Sequence, residues 1–306
     1  MAVLSKQWDA RYFQMAFQVI FLCYGLAFLH WSADWINYLC FILAGLLLQW
    51  ICDCIIAKRF FVPPLGDRGG RGKSTLISCL SLCLLLKTNH WDVCVFAAAV
   101  TVMGKYLFRY KGKHIFNPSA LGIAAAVFFT GDAWISPGQW GSNMVLFFGI
   151  ICLGFIVVTR VQKLDVSLAF FVTFAALLFA RQILYLGWPM DFFIQSISTG
   201  SLLLFSFFMI SDPKTTPDHP AARIIWAMCI AGIAFYLTTF KFINGAPIWV
   251  LVFAQSVVPL LDYLFKAKRF EWMPPSSRNE FGTGSKGVLS TSHNKLNQLY
   301  KQNSFN

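Results

Sequence analysis

The chain has 306 residues, of which 57% are hydrophobic and only 12% charged, with a mean hydropathy of +0.61. Soluble globular proteins carry about 25% charged residues, so the deficit excludes a disordered chain, a disulfide-rich secreted module and an ordinary cytosolic enzyme. What remains is a polytopic membrane protein, and its net charge of +12 is read as basic loops rather than a nucleic-acid surface.

Met1–Arg11 is polar and lacks the charged stretch, short apolar core and small-residue cleavage site of a signal peptide. Apolar runs follow at 13–31, 36–57, 74–87, 92–108, 118–131, 143–159, 166–186, 192–210, 224–240 and 246–265. At about 20 residues per crossing, they predict an all-α polytopic membrane protein with about ten transmembrane helices. Runs 74–87 and 118–131 fall short of the roughly 17 residues that cross comfortably, and are expected to be short or discontinuous spans. Residues 1–270 thus form a transmembrane helical domain. Residues 271–306, rich in Ser, Asn, Gly and Lys, form a polar cytoplasmic tail, mostly disordered, with a short helix near Leu296–Tyr300.

Charge sets the orientation. With the N-terminus inside, 22 of the 25 Lys and Arg residues fall on inner segments or the tail, and only Lys87, Arg181 and Lys241 fall outside. Adding or dropping one span would put strongly basic loops on opposite sides, against the positive-inside rule. The expected topology is N-in/C-in, in a bacterial inner (plasma) membrane with both termini cytoplasmic. Trp31, Trp35, Trp134, Trp140 and Trp188 in the outer loops suit an interfacial belt.

Most chemical motifs along the chain read as structural. Gly72-Lys-Ser-Thr75 ends like a phosphate-binding loop, but Asp67 stands where its first glycine is required. A helix start at Ser74 or Thr75 is expected instead. No histidine lies in the middle of a run, so no haem is expected; His30 and His90 read as solvated loop residues, and no metal site is expected. The nine cysteines sit in apolar stretches as small hydrophobes, and Cys52-x-Cys54 with Cys79-x3-Cys83 is too sparse for a four-thiolate cluster. Gln49, Asp53, Arg181 and Asp262 lie in or near apolar runs, where ionisable groups are by default functional or paired; the three charges are expected near helix ends, where they can snorkel.

Two irregular inner segments stand apart. In the first, Gly104 to Gly122, Asn117 is placed to cap the next helix and Pro118 to occupy its first turn, just after four basic residues. A helix N-terminus beside cationic side chains suits an anionic or electron-rich polar ligand. The second, Ser211-Asp-Pro-Lys-Thr-Thr-Pro-Asp-His-Pro220, is a proline-stiffened turn offering Asp212, Thr215 and Thr216.

Phe116-Asn117-Pro118 within Lys105 to Gly122, and Met209-Ile-Ser-Asp-Pro213, resemble the two signatures of a membrane family. That family comprises NqrB, a membrane component of the sodium-translocating NADH:quinone reductase, and RnfD, its counterpart in the Rnf electron-transport complex, with short UnbU-like relatives. The resemblance to this NqrB/RnfD family covers roughly residues 40–265. It implies an integral-membrane electron-transfer subunit of a redox complex rather than a self-sufficient enzyme. Implied partners are the lipid bilayer, other subunits and quinone, with no nucleic acid. The family's covalent-FMN motif, Ser/Thr-Gly-Ala-Thr, is missing from this chain, so no covalent FMN is expected. Tyr106 replaces the acidic residue that often follows the family's lysine, which weakens any inherited quinone or ion-gating role. A non-covalent flavin, riboflavin or FMN, is implied, with polar contacts from Lys113, His114, Asn117, Asp212 and Thr215 in a slot lined by Phe116 and Tyr106. The alternative reading is a non-redox transporter or channel for an ion or small molecule on the same fold.

Overall fold

The computed structural model describes residues 10–31, 34–58, 71–136 and 144–267, all of them in one unit, Asp9–Lys268. The tail from 271 onward, including the expected helix near Leu296–Tyr300, lies outside the described residues.

Every one of the ten apolar runs is helical, because an apolar segment can satisfy its backbone polar groups internally only as a helix. The helices are α1 (Ala10–Ala27), α2 (Trp35–Ala57), α3 (Arg71–Leu85), α4 (Trp91–Leu107), α5 (Pro118–Thr130) and α6 (Met144–Val161). They continue as α7 (Leu164–Phe179), α8 (Met190–Ile197), α9 (Gly200–Leu204), α10 (Pro220–Phe240), α11 (Ala246–Gln255) and α12 (Val258–Leu264). Wider π-helical turns extend α7 over Ala180–Tyr185 and α9 over Phe205–Met209. Three helical stretches are long and apolar enough to cross a membrane: Trp35–Ile56, Leu164–Tyr185 and Pro220–Phe240. The number rises to five if each bent pair counts as one span.

Two expectations need correction. First, α3 starts at Arg71, not at Ser74 or Thr75. Second, the all-α expectation misses two small antiparallel pairings, β1 (Leu86–Thr88) with β4 (Ala133–Ile135) and β2 (Arg109–Tyr110) with β3 (Lys113–His114). Gly72–Leu85 and Pro118–Thr130 are short, as expected, and unbroken, while two other runs are bent. The eighth run bends by 48° between α8 and its continuation Gly200–Met209, and the tenth by 46° between α11 and α12. At the first break the Ser198 hydroxyl adds a second donor to the Ile194 carbonyl, which the Ser198 N–H already reaches, and Thr199 Oγ1 donates to the Ser196 carbonyl. At the second, Pro259 enters the first turn of α12 without an N–H of its own.

Contacts sort the helix termini into two ends. At one end β1 pairs β4, Asn37 donates to the Thr88 carbonyl, and Lys87 meets Tyr38 and Asp34. Arg181 on the ring of Phe240 and Gly245 against Ile135 belong to the same end. At the other end Lys73 lies over Tyr12, Arg160 over Phe13, and Lys113 reaches the segment 216–218 and Asp262. We call the second the basic end, since it gathers the cationic loops.

Close helix approach positions α5 against α4. A Cβ on Gly122 would stand 2.0 Å from Thr101 Oγ1 and 2.8 Å from the Ala97 carbonyl oxygen, so only glycine fits. Gly122→Ala is therefore expected to destabilise the chain by about 1–3 kcal/mol, the usual cost of overpacking. Thermal unfolding in detergent checks this, and an unchanged midpoint would show that α4 and α5 do not pack this closely.

Candidate functional site

The two irregular segments meet at Asn117. Its side-chain oxygen accepts from the Ala120 N–H at 3.2 Å and from Ser119 Oγ at 2.8 Å, which caps α5 as the sequence predicts. Its Nδ2 donates to the Met209 carbonyl at 3.2 Å. That carbonyl ends the π-helical turn Phe205–Met209, where the wider winding alters the helical bonding pattern. The Asn117 backbone N–H donates to Gln255 Oε1 at 2.8 Å, at the break between α11 and α12. One residue thus joins the α5 N-terminus, the end of the eighth apolar run and the middle of the tenth.

A second cluster holds the turn 211–220 against the β2–β3 hairpin. Lys113 Nζ donates to the Thr216 carbonyl at 2.6 Å and pairs with Asp262 at 2.7 Å and Asp218 at 3.0 Å. The Asp218 N–H donates to the other Asp262 oxygen at 2.8 Å. Lys163, buried, reaches the Pro217 carbonyl at 3.5 Å, and its burial lowers the ammonium to about 8. Arg223 pairs with Asp165 at the start of α7. Asp262 therefore does not snorkel: it closes a buried ion cluster.

A third network lies between α2, α3 and α4. Lys105 Nζ donates to Thr75 Oγ1 at 3.0 Å, and Thr75 donates to Gln49 Oε1 at 2.8 Å. Gln49 Nε2 donates to Asp53 at 2.9 Å and to the Tyr106 hydroxyl, which donates to Asp53 at 3.0 Å. Asp53 is paired with Gln49 and Tyr106 rather than snorkelling, and Arg181 lies over the rings of Tyr185 and Phe240.

Of the residues singled out from sequence, Asn117 and the turn carrying Asp212 and Thr215 come together, with Lys113 bonded to the next residue, Thr216. Thr215 is buried and donates its N–H back to the Asp212 carbonyl at 3.1 Å. Desolvation pushes the Asp212 carboxyl up, against the pull of the Lys214 N–H at 3.0 Å and of nearby Lys214, Lys105 and Lys113. Phe116 packs edge-on against Phe108 at 5.3 Å. Tyr106 is the exception, since its hydroxyl engages α2 through Asp53 and Gln49. Sequence reading missed Gln255, Lys163 and Asp218 as site residues. Gln255 left a signal, as one of few polar side chains inside the tenth apolar run.

The electrostatics are positive around His114. Desolvation, then Lys214, Arg109 and Lys105, hold its imidazole at about 4. Four buried side-chain atoms have no hydrogen-bond partner among the described residues: His114 Nδ1, Thr216 Oγ1, His219 Nδ1 and Gln255 Nε2. Buried polar atoms are seldom left unpaired, and two of these belong to residues bonded through other atoms to this region, Gln255 to Asn117 and Thr216 to Lys113. Among the described residues no group of three or more His, Cys, Asp or Glu side chains could hold a metal ion.

Residues 128–271 match the family model of the NQR2, RnfD, RnfE family. That stretch, just under half of the chain, is similar to this family. The match takes in Met209–Pro213, Gln255 and Asp262, and the structure joins Asn117, outside it, to the same site. Family and apolar helices together make the chain an integral membrane protein. Among curated proteins none matches the chain.

The His114 environment carries a pH dependence with a definite sign. An imidazole at about 4 when folded, against the ordinary 6.5, binds its proton first in the unfolded chain. Its contribution is fully present above that ordinary value and is lost as pH falls toward the folded value. Thermal midpoints in detergent should drop between about pH 7 and about pH 5, and drop less in His114→Gln. Equal drops in both proteins would remove His114 from this cationic environment.

Proposed function

We propose that this protein is the membrane subunit of an Nqr/Rnf-type redox complex and holds a non-covalent flavin beside Asn117. The observation that carries the reading is the set of buried atoms unpartnered among the described residues at His114, Thr216 and His219, in the two irregular segments, and at Gln255, which accepts from the Asn117 N–H. Gln255 Nε2 is a donor, and the Thr216 hydroxyl and His114 ring nitrogen can donate or accept, which suits a flat ring with carbonyl and nitrogen acceptors on its edge. When bound, a flavin supplies one- or two-electron chemistry. The chain's residues position it. Asn117 sets the α5 N-terminus, Lys113 holds the turn 211–220 in place, and Lys105, Lys214 and Arg109 favour negative charge at the site.

In this reading the ten apolar runs are ten crossings, counting each bent pair once, with the basic end and both termini cytoplasmic in a bacterial inner membrane. Other subunits bring electrons in, and quinone is the acceptor class that the family similarity favours. A second reading, a transporter without redox chemistry, is favoured by the buried Lys105–Thr75–Gln49–Asp53 network and by the two broken helices.

A visible spectrum of the purified protein, before and after acid precipitation, decides between them. A flavin band should be present and pass into the supernatant, leaving no fluorescent band in a denaturing gel. Asp212→Ala and Asn117→Ala should each lower flavin content. A folded, colourless preparation would remove the flavin and favour the transporter.

A further inference from the structure

The sequence places three basic residues away from the basic end, Lys87, Arg181 and Lys241. Lys87 is buried and used internally, bonded to Tyr38 and paired with Asp34. The other two converge. Arg181 lies just before the end of the span Leu164–Tyr185, and Lys241 directly follows the span Pro220–Phe240. The Arg181 guanidinium rests 4.6 Å from the ring centroid of Phe240, the residue next to Lys241, and 5.4 Å from that of Tyr185. Both cations stand at the level where these two spans end, against the orientation rule that the rest of the chain follows.

Among the described residues no carboxylate pairs with either cation; the ion pairs there belong to Lys87, Lys113 and Arg223. Positive charge at a helix C-terminus is favoured by the helix dipole, which accounts for a cation near the end of each span. It does not account for a guanidinium laid on two aromatic rings, with no helix carbonyl as acceptor among the described residues. The wider π-helical turn Ala180–Tyr185 carries Arg181 into that position. Around it the surface is apolar and aromatic, with Leu184, Tyr185, Trp188, Phe192, Phe240 and Phe242 all exposed.

We propose that Arg181 and Lys241 bind the phosphate of an anionic phospholipid, of the phosphatidylglycerol class, at the end where β1 pairs β4. The planar guanidinium offers paired N–H donors to phosphate oxygens, while the rings of Phe240 and Tyr185 hold its plane. Lys241 adds a second positive charge at headgroup level. The acyl chains then cover the exposed apolar rim, which a free phosphate would leave bare. One phosphate bridging the two cations ties the end of α7 to the end of α10. The site needs only that the two helices cross a membrane, and is independent of the flavin reading.

The test is thermal unfolding of the full chain in dodecyl maltoside, alone and with phosphatidylglycerol, phosphatidylcholine or inorganic phosphate. Phosphatidylglycerol should raise the midpoint more than phosphatidylcholine, because a ligand held by the folded chain stabilises it, and inorganic phosphate should leave it unchanged. In the double variant Arg181→Gln, Lys241→Gln most of that excess should be lost, with phosphatidylglycerol affinity lowered on the order of thirtyfold, as removal of two interfacial charges implies. Lys266→Gln, which removes an exposed cation beyond α12, should keep the excess. Lys241→Gln alone changes one exposed side chain, keeps the fold, and should lose part of the excess. An excess that stays equal in every variant overturns the site. A lower midpoint of the double variant without lipid, with its phosphatidylglycerol excess intact, assigns the two cations to the helix termini and also overturns it. A midpoint raised as far by inorganic phosphate replaces the lipid with a free anion and overturns the lipid site.

Discussion

Irregular backbone inside a largely apolar helical bundle is tolerated only where side chains supply the missing hydrogen bonds. The Asn117 carboxamide does this for two segments, capping α5 and bonding the Met209 carbonyl, while the Asn117 backbone N–H donates to Gln255 Oε1 at the α11–α12 break. The π-helical turn before Met209, the bend after Gln255 and the start of α5 thus meet at one residue. Near it stand buried donors and acceptors that no described residue completes. A site emerges because three breaks share one solution.

Much of this was legible in the sequence, for identifiable reasons. Ten apolar runs read as ten helical stretches because hydropathy and helix formation are tightly linked in lipid. Asn117 and Pro118 read as a helix start because cap chemistry is local. The two short runs read as short because length is visible in sequence, while the bends at Ser198-Thr199 and just before Pro259 lie inside long runs and left no sign in run length. Asp262 read as a snorkelling end residue, and its partner Lys113 lies 149 positions away. Such pairings leave no periodicity to read. Tyr106 was assigned to the flavin slot on family pattern, while its hydroxyl faces Asp53 on a helix whose register the sequence does not show.

The buried charges share one logic. Desolvation penalises each of them, so each is met by a partner or shifted toward its neutral form. Lys113 is met by two carboxylates, while Lys163 and His114 are lowered. The result is a basic end whose described aspartates are held by internal partners, beside the Lys113–Asp218–Asp262 ion cluster.

The most direct measurement is a cryo-EM map of the purified protein in nanodiscs. The account predicts a flat density bounded by His114, Thr216 and Gln255, within hydrogen-bond reach of their unpartnered atoms. A map in which ordered waters satisfy those atoms and Asn117 still bridges Met209 and Gln255, with no ligand between them, would contradict it.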